Sequence, residues 1–134
     1  MLIMGYLDYT FRENSDPPEI VPFDRSITTQ KKVKEIASDL DILLKEGIYT
    51  WALGPSYETP AEIQDIISLG GHAVGMSTVP EMMKATKLGL EVIAISCLTN
   101  YGTGMDGGIL SHEDVLEIIS KVQEKFSSLL LKIV

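Results

Sequence analysis

Apolar positions along the chain recur at two spacings, one of strands and one of helices. The run Met1-Leu2-Ile3-Met4 predicts a short buried strand, or the tail of one. Val33, Ile36, Ala37, Leu40, Leu43 and Leu44 return at helical spacing and predict a helix, with Gly47 as its C-cap. Residues 48–53 are β-branched and aromatic, the composition of a strand. Thr59-Pro60-Ala61-Glu62 reads as a capping box with proline at the first helical position, and its helix should end at Gly70-Gly71. Thr78-Val79-Pro80-Glu81 reads as a second box, on a helix ending at Gly89, and Ser111-His112-Glu113-Asp114 as a weaker third. The last helix should reach the C-terminus, with Val115, Ile118, Ile119, Val122, Phe126, Leu129, Leu130 and Ile133 on one broad face.

Residues 73–76 and 91–98 are short, apolar and without strict alternation, as expected of strands covered on both faces. Residues 5–25, with Pro17, Pro18 and Pro22, predict an irregular segment. The resulting order, strand and helix in alternation four times, predicts an α/β fold: a mainly parallel or mixed sheet flanked by helices, in a single domain over 1–134.

Composition narrows the function classes. At 134 residues the chain is one domain or part of one. Apolar types at 45% and charged types at 22% match an ordinary globular mixture and exclude global disorder. The net charge of −8 repels phosphate backbones and anionic lipid, so nucleic acid and membrane surfaces are poor partners. A small anion is still allowed, because one local pocket can oppose the overall field. No apolar stretch approaches the ~20 residues of a membrane span, and the first four residues lack a charged leader. A cytoplasmic setting is the expectation. Cys97, the only cysteine, sits in an apolar run and predicts a buried, inert thiol. The two histidines, His72 and His112, are far apart, and no metal-ligand spacing occurs, so no metal site is expected.

In open α/β sheets, ligands bind beyond the carboxyl ends of the strands. Those ends are Gly54-Pro55-Ser56-Tyr57-Glu58-Thr59, Gly75-Met76-Ser77-Thr78 and Thr99-Asn100-Tyr101-Gly102. A parallel sheet would align them along one rim. The rim would offer a carboxylate (Glu58), a carboxamide (Asn100), hydroxyls (Ser56, Ser77, Thr99), aromatics (Tyr57, Tyr101) and a thioether (Met76). That set suits a planar, polar, uncharged ring, with faces to stack on and groups to exchange hydrogen bonds with its edges. Structural roles compete. Glu58 can complement a helix dipole, Asn100 can be an ordinary turn residue, Met76 can fill a core, Ser77 or Thr78 can cap a helix, and His112 can be a solvated first-turn residue. The Gly102–Gly108 stretch lacks the lysine of a phosphate-binding loop.

These three motifs, in this order and spacing, strongly resemble those of purine nucleoside phosphorylases of the trimeric type. The resemblance is close over residues 48–134 and loose over 1–47. It implies cleavage of the N-glycosidic bond of inosine or guanosine by inorganic phosphate as co-substrate, giving ribose 1-phosphate and free base, in purine salvage. It implies that Glu58 accepts hydrogen bonds from the purine ring N–H, that Asn100 bonds the imidazole edge and 6-oxo group, and that Tyr57 packs on the base. Val74 and Thr99 would line the base pocket, Met76 and Tyr49 would contact ribose, Ser77 would touch phosphate, and His112 would bond the 5′-hydroxyl. The Glu58, Gly75-Met76-Ser77 and Asn100 pattern favours the 6-oxopurine branch over the neighbouring methylthioadenosine phosphorylases.

The resemblance also implies a trimer, and covers only the C-terminal half of the phosphorylase fold. The family's Gly/Ser-rich phosphate loop, Arg and His segment are not recognisable in the chain, nor are its Asp-His-Ile-Asn and Asn-Pro-Leu segments. Either Tyr9 or Phe11 stands near where a neighbouring subunit's aromatic would originate. The chain is therefore expected to be a truncated or divided member with a missing N-terminal half, turning over inosine poorly on its own. The alternatives are a non-catalytic relic that binds base, and a methylthioadenosine phosphorylase.

Overall fold

The computed structural model of the chain describes residues 1–11, 17–23, 27–105 and 112–134. Among the described residues eight elements follow one another: β1 (Leu2–Asp8), β2 (Ile20–Pro22), α1 (Ile27–Asp39), β3 (Glu46–Trp51), α2 (Pro60–Ser68), β4 (Ala73–Gly75), α3 (Val79–Lys87) and α4 (His112–Ile133). The sheet order is β2-β1-β3-β4. β1 pairs parallel with β3, and β3 with β4; β2 joins β1 antiparallel. The sheet is mixed, with parallel pairing through its centre.

The central strand explains the absence of alternation in its sequence. Tyr49 and Thr50 are adjacent on β3 and both buried, because helices cover the two faces. Tyr49 joins Met1, Ile3, Val79, Met82 and Ala94 in the main apolar cluster, which ties β1 and β3 to α3. On the other face Thr50 lies against Gly71 and Ile66 of the α2 end. α1 packs against α4, with Val33, Ala37 and Leu129 buried.

The helix ends show why the chain turns where it does. The cap at Thr59 is the predicted box: Glu62 N–H donates to Thr59 Oγ1, and Thr59 N–H donates to Glu62 Oε2 at 2.7 Å. α2 and α3 close on Gly70 (φ 88°) and Gly89 (φ 73°), left-handed positions where a side chain would be strained. In each, paired amides return to the last turn: Gly70 to Ile67 and Gly71 to Ile66, then Gly89 to Thr86 and Leu90 to Ala85.

Five expectations need correction. The segment 5–25 is regular at both ends, since β1 continues to Asp8 and β2 spans Ile20–Pro22. α1 ends at Asp39, not near Gly47. Asp41 takes the left-handed turn (φ 53°), Asp41 N–H and Ile42 N–H return to Ser38 and Ala37, and Gly47 lies inside β3. Thr78 makes no side-chain cap; its φ is 78°, and Val79 N–H closes on Ser77 O instead. Residues 91–98 are not a full strand among the described residues. They meet β1 at one antiparallel bridge, Leu2 to Ile95, with Ile3 N–H on Ala94 O and Ser96 N–H on Met1 O. Cys97 is exposed rather than buried. The third capping motif, at Ser111, lies outside the described residues.

Beyond β1 the chain is pinned to the sheet and to α2. Tyr9 N–H donates to Trp51 O, and the Tyr9 hydroxyl donates to Asp65 Oδ2 at 2.7 Å. Phe11 packs edge-on against the Tyr9 ring, centroids 4.7 Å apart. Burial first, then the Asp65 carboxylate that accepts its proton and the charge of Glu62, push the Tyr9 phenol from 10.0 up to about 12. The folded state therefore holds this proton more tightly than the unfolded chain. The contribution is complete below pH 10 and is lost as pH rises to about 12. Tyr9→Phe should accordingly be less stable than the parent near neutrality, with the gap narrowing through that alkaline window. Urea unfolding at stepped pH measures it, and a gap constant from pH 9 to 12 would exclude the Tyr9–Asp65 bond as its source. Tyr6, also raised by burial, keeps some alkaline sensitivity in both proteins.

Candidate functional site

The carboxyl ends of β3 and β4 open onto neighbouring loops. Ala52 N–H donates to Gly75 O, which closes the ladder at the rim. Immediately beyond, Gly54 lies against the Met76 thioether; a Cβ built at Gly54 would stand 2.6 Å from its Sδ. The Gly54–Pro55 peptide is cis. The loop then reaches Glu58 and the Thr59 cap, so the backbone on the C-terminal side of Glu58 is fixed by the start of α2. The third segment approaches α2. Positions Gly102 and Gly104 pack on Ile63 and Pro60, in the first turn of α2. Two loops distant in sequence thus meet at the end of the sheet where such folds bind ligands, and the third segment meets the first turn of the helix that follows one of them.

The individual side chains fall into three groups. Tyr57, Met76, Ser77 and Asn100 are exposed, and Glu58, Val74 and Thr99 are half-buried. Tyr49 is buried at 4% exposure, its hydroxyl against Gly75. His112 opens α4, and its side chain lies outside the described residues. Ser77 Oγ faces Thr78 Oγ1 at 3.3 Å. The Asn100 carboxamide is oriented from within its own turn: Oδ1 accepts from Thr99 Oγ1 at 2.6 Å, and Nδ2 donates to Tyr101 O at 2.9 Å. A carboxamide has two N–H groups and two lone pairs, so one of each stays available to a ligand. No described group pairs with the Glu58 carboxylate.

Hydrogen bonds from the Thr59 amide and hydroxyl hold the Glu62 carboxyl below its ordinary value, which keeps the cap charged. None of the expected residues lines either of two cavities among the described residues. One, of about 370 Å³, lies between α1, residues 91–93 and the end of α4. The other, of about 340 Å³, lies beside Trp51 at the ends of β1 and β3. The motifs instead form an open rim. No cluster of three or more His, Cys, Asp or Glu that could hold a metal occurs among the described residues, and no described helix is long and apolar enough to cross a membrane.

Residues 1–134 match the family model described as the phosphorylase superfamily. The chain belongs to this superfamily. It is 46% identical over 101 residues to purine nucleoside phosphorylase 1 of Bacillus subtilis, covering 75% of the chain and 37% of that protein. It is 38% identical over 134 residues to the purine nucleoside phosphorylase of Mycobacterium leprae, covering all of the chain and 49% of that protein. The structure of Schistosoma mansoni purine nucleoside phosphorylase in complex with inosine superposes with a TM-score of 0.76 at 33% identity, over 83% of the chain and 40% of that structure. The chain thus spans about half or less of the length of these relatives, and its mixed sheet with flanking helices is the architecture they share.

Trp51, Lys84 and Lys87, which wall the second rim cavity, were not among the residues singled out from the sequence. The available signal was weak: a tryptophan at the last position of a strand, and two lysines three apart on one helix.

Proposed function

We propose that this chain carries the base- and ribose-binding part of a purine nucleoside phosphorylase acting on 6-oxopurine nucleosides. The observation that carries the reading is the meeting of the Gly54–Glu58 loop with Met76 at the ends of β3 and β4, with Gly102, just beyond Asn100, against the first turn of α2. It is supported by relatives named purine nucleoside phosphorylase and by one solved with inosine.

In this reading, Glu58 accepts the ring N–H that a 6-oxopurine carries and adenine lacks. Asn100 uses its free N–H and lone pair on the imidazole edge and the 6-oxo group. Tyr57, Val74 and Thr99 surround the base, Tyr49 and Met76 the ribose, His112 the 5′-hydroxyl, and Ser77 the phosphate. Phosphorolysis passes through a ribosyl cation-like state, and the leaving purine gains negative charge as its bond to the sugar breaks. A donor gripping that charge more tightly than the neutral base lowers the barrier, and Asn100 supplies it. Glu58, itself negative, positions and selects the base. Inorganic phosphate is the co-substrate, and no cofactor takes part. Ser77 is its only contact in this set of residues, so the base site should fill more readily than the reaction proceeds. The subunit arrangement that completes such a site would be a trimer, in the cytoplasm.

Calorimetry with free bases tests this directly. Hypoxanthine should bind at least about tenfold more tightly than adenine, since one charge-assisted hydrogen bond contributes about 1.5–3 kcal/mol. Glu58→Ala should remove the difference. Equal affinity for the two bases, or a Glu58→Ala protein that still prefers hypoxanthine, would overturn the assignment of Glu58. A preference for adenine would move the reading to methylthioadenosine.

A further inference from the structure

The cavity of about 340 Å³ beside Trp51 is lined by Asp8, Thr10, Trp51, Met83, Lys84 and Lys87, among others, and shares no residue with the proposed base site. Its volume falls in the range of about 300–1,000 Å³ usual for small-ligand sites. It lies at the carboxyl ends of two parallel strands, since Asp8 and Trp51 are paired final residues of β1 and β3. Its walls differ in chemistry. Trp51 and Met83 are half-buried and packed against the main apolar cluster, so the indole is held in place. Lys84 and Lys87, which also line it, are exposed, three apart in the last turns of α3, and neither forms an ion pair among the described residues. Thr10 is 7% exposed, and its Oγ1 has no hydrogen-bond partner among the described residues. Asp8 Oδ1 accepts the Thr10 N–H at 3.0 Å, which orients the carboxylate.

In a chain of net charge −8, two lysines against one aspartate lining a cavity give a local charge opposed to the global one. Lysines in a last helical turn also complement the helix dipole, but that role is met on any face of the turn, and both of these border the cavity. We propose that the cavity is a second ligand site, distinct from the base site, which takes a nucleoside monophosphate. The flat ring stacks on the Trp51 indole, the phosphate dianion lies between Lys84 and Lys87, and Asp8 accepts from a ring N–H or sugar hydroxyl. This inference stands without the base-site assignment.

Trp51 is the only tryptophan of the chain, so intrinsic fluorescence reports on this cavity directly. Guanosine 5′-monophosphate should change the emission saturably, at a concentration at least about tenfold below that needed with guanosine, the margin that paired charge-assisted contacts provide. Inorganic phosphate alone should compete at higher concentration, and added salt should weaken the nucleotide response. Lys84→Ala/Lys87→Ala changes two exposed side chains, and circular dichroism checks its fold. It should erase the tenfold difference, and Glu58→Ala should leave it intact. Equal responses to nucleotide and nucleoside, a difference that survives the double lysine substitution, or one abolished by Glu58→Ala would each overturn the proposal. The last would place the nucleotide at the base site.

Discussion

Gly75→Ala is expected to weaken the fold toward the upper end of the 1–3 kcal/mol typical of overpacking, about 3 kcal/mol. A Cβ at this position would stand 2.1 Å from the Tyr49 hydroxyl oxygen and 3.0 Å from Cζ. The ring cannot swing aside, because Tyr49 is 4% exposed and clustered with Ile3, Val79 and Met82. Relief must come from β4, a three-residue edge strand whose end leads directly into Met76 and Ser77. Stability and base affinity should therefore fall together. Urea midpoints measure the first and calorimetry with hypoxanthine the second. The cause is separable: Tyr49→Phe removes the hydroxyl, so the double variant should regain part of what Gly75→Ala loses. A double variant no more stable than Gly75→Ala would show that the clash lies elsewhere.

Ile3→Ala carries the other large effect. Ile3 is fully buried in the cluster that joins β1, β3, α3 and Ala94. Truncating such a side chain costs about 2–5 kcal/mol, according to how far the surroundings collapse. That is a large part of the 5–15 kcal/mol that ordinarily holds a domain together. The loss should be felt first in residues 91–98, which are tied to β1 by the Ile3–Ala94 and Ser96–Met1 hydrogen bonds and one bridge. Amide exchange should accelerate at Ser96 before it does in β3. Uniform acceleration, or an unchanged unfolding midpoint, would mean that the segment does not depend on Ile3.

Where local chemistry decided the outcome, the sequence was readable. Thr59-Pro60-Ala61-Glu62 carries its whole capping box within four residues, and Gly70 and Gly89 end their helices because few other residues accept that turn. The failures lie where a near-identical local signal met a different constraint. In Thr78-Val79-Pro80-Glu81 the proline stands one position later. Pro80 offers no N–H and restricts Val79 before it, so the chain enters α3 through a tight turn rather than a cap. Leu43 and Leu44 extended the helical spacing past Asp41, yet Leu43 is 82% exposed; an aspartate taking a left-handed turn is a weaker signal than a glycine.

Residues 91–98 were read as a strand, and among the described residues they form one antiparallel bridge with β1. Extension is written in β-branched side chains, but pairing depends on what another part of the chain places alongside. The site divides in the same way. Glu58, Met76 and Asn100 were visible as motifs, and the parallel pairing of β3 with β4 brings the loops of the first two together. The Trp51 cavity arises only when β1, β3 and α3 come together, and no spacing along the chain announces it.

The capping box has a consequence for how variants of this protein should be scored. Glu58 immediately precedes Thr59, whose amide and hydroxyl are both held by Glu62. Loosening that clasp would let the neighbouring carboxylate wander, even though the Glu62 carboxylate is itself taken up by Thr59. A library selected for ligand capture alone would then mark position 62 as a recognition residue, and only a parallel measurement of helix content would reveal it as a clamp.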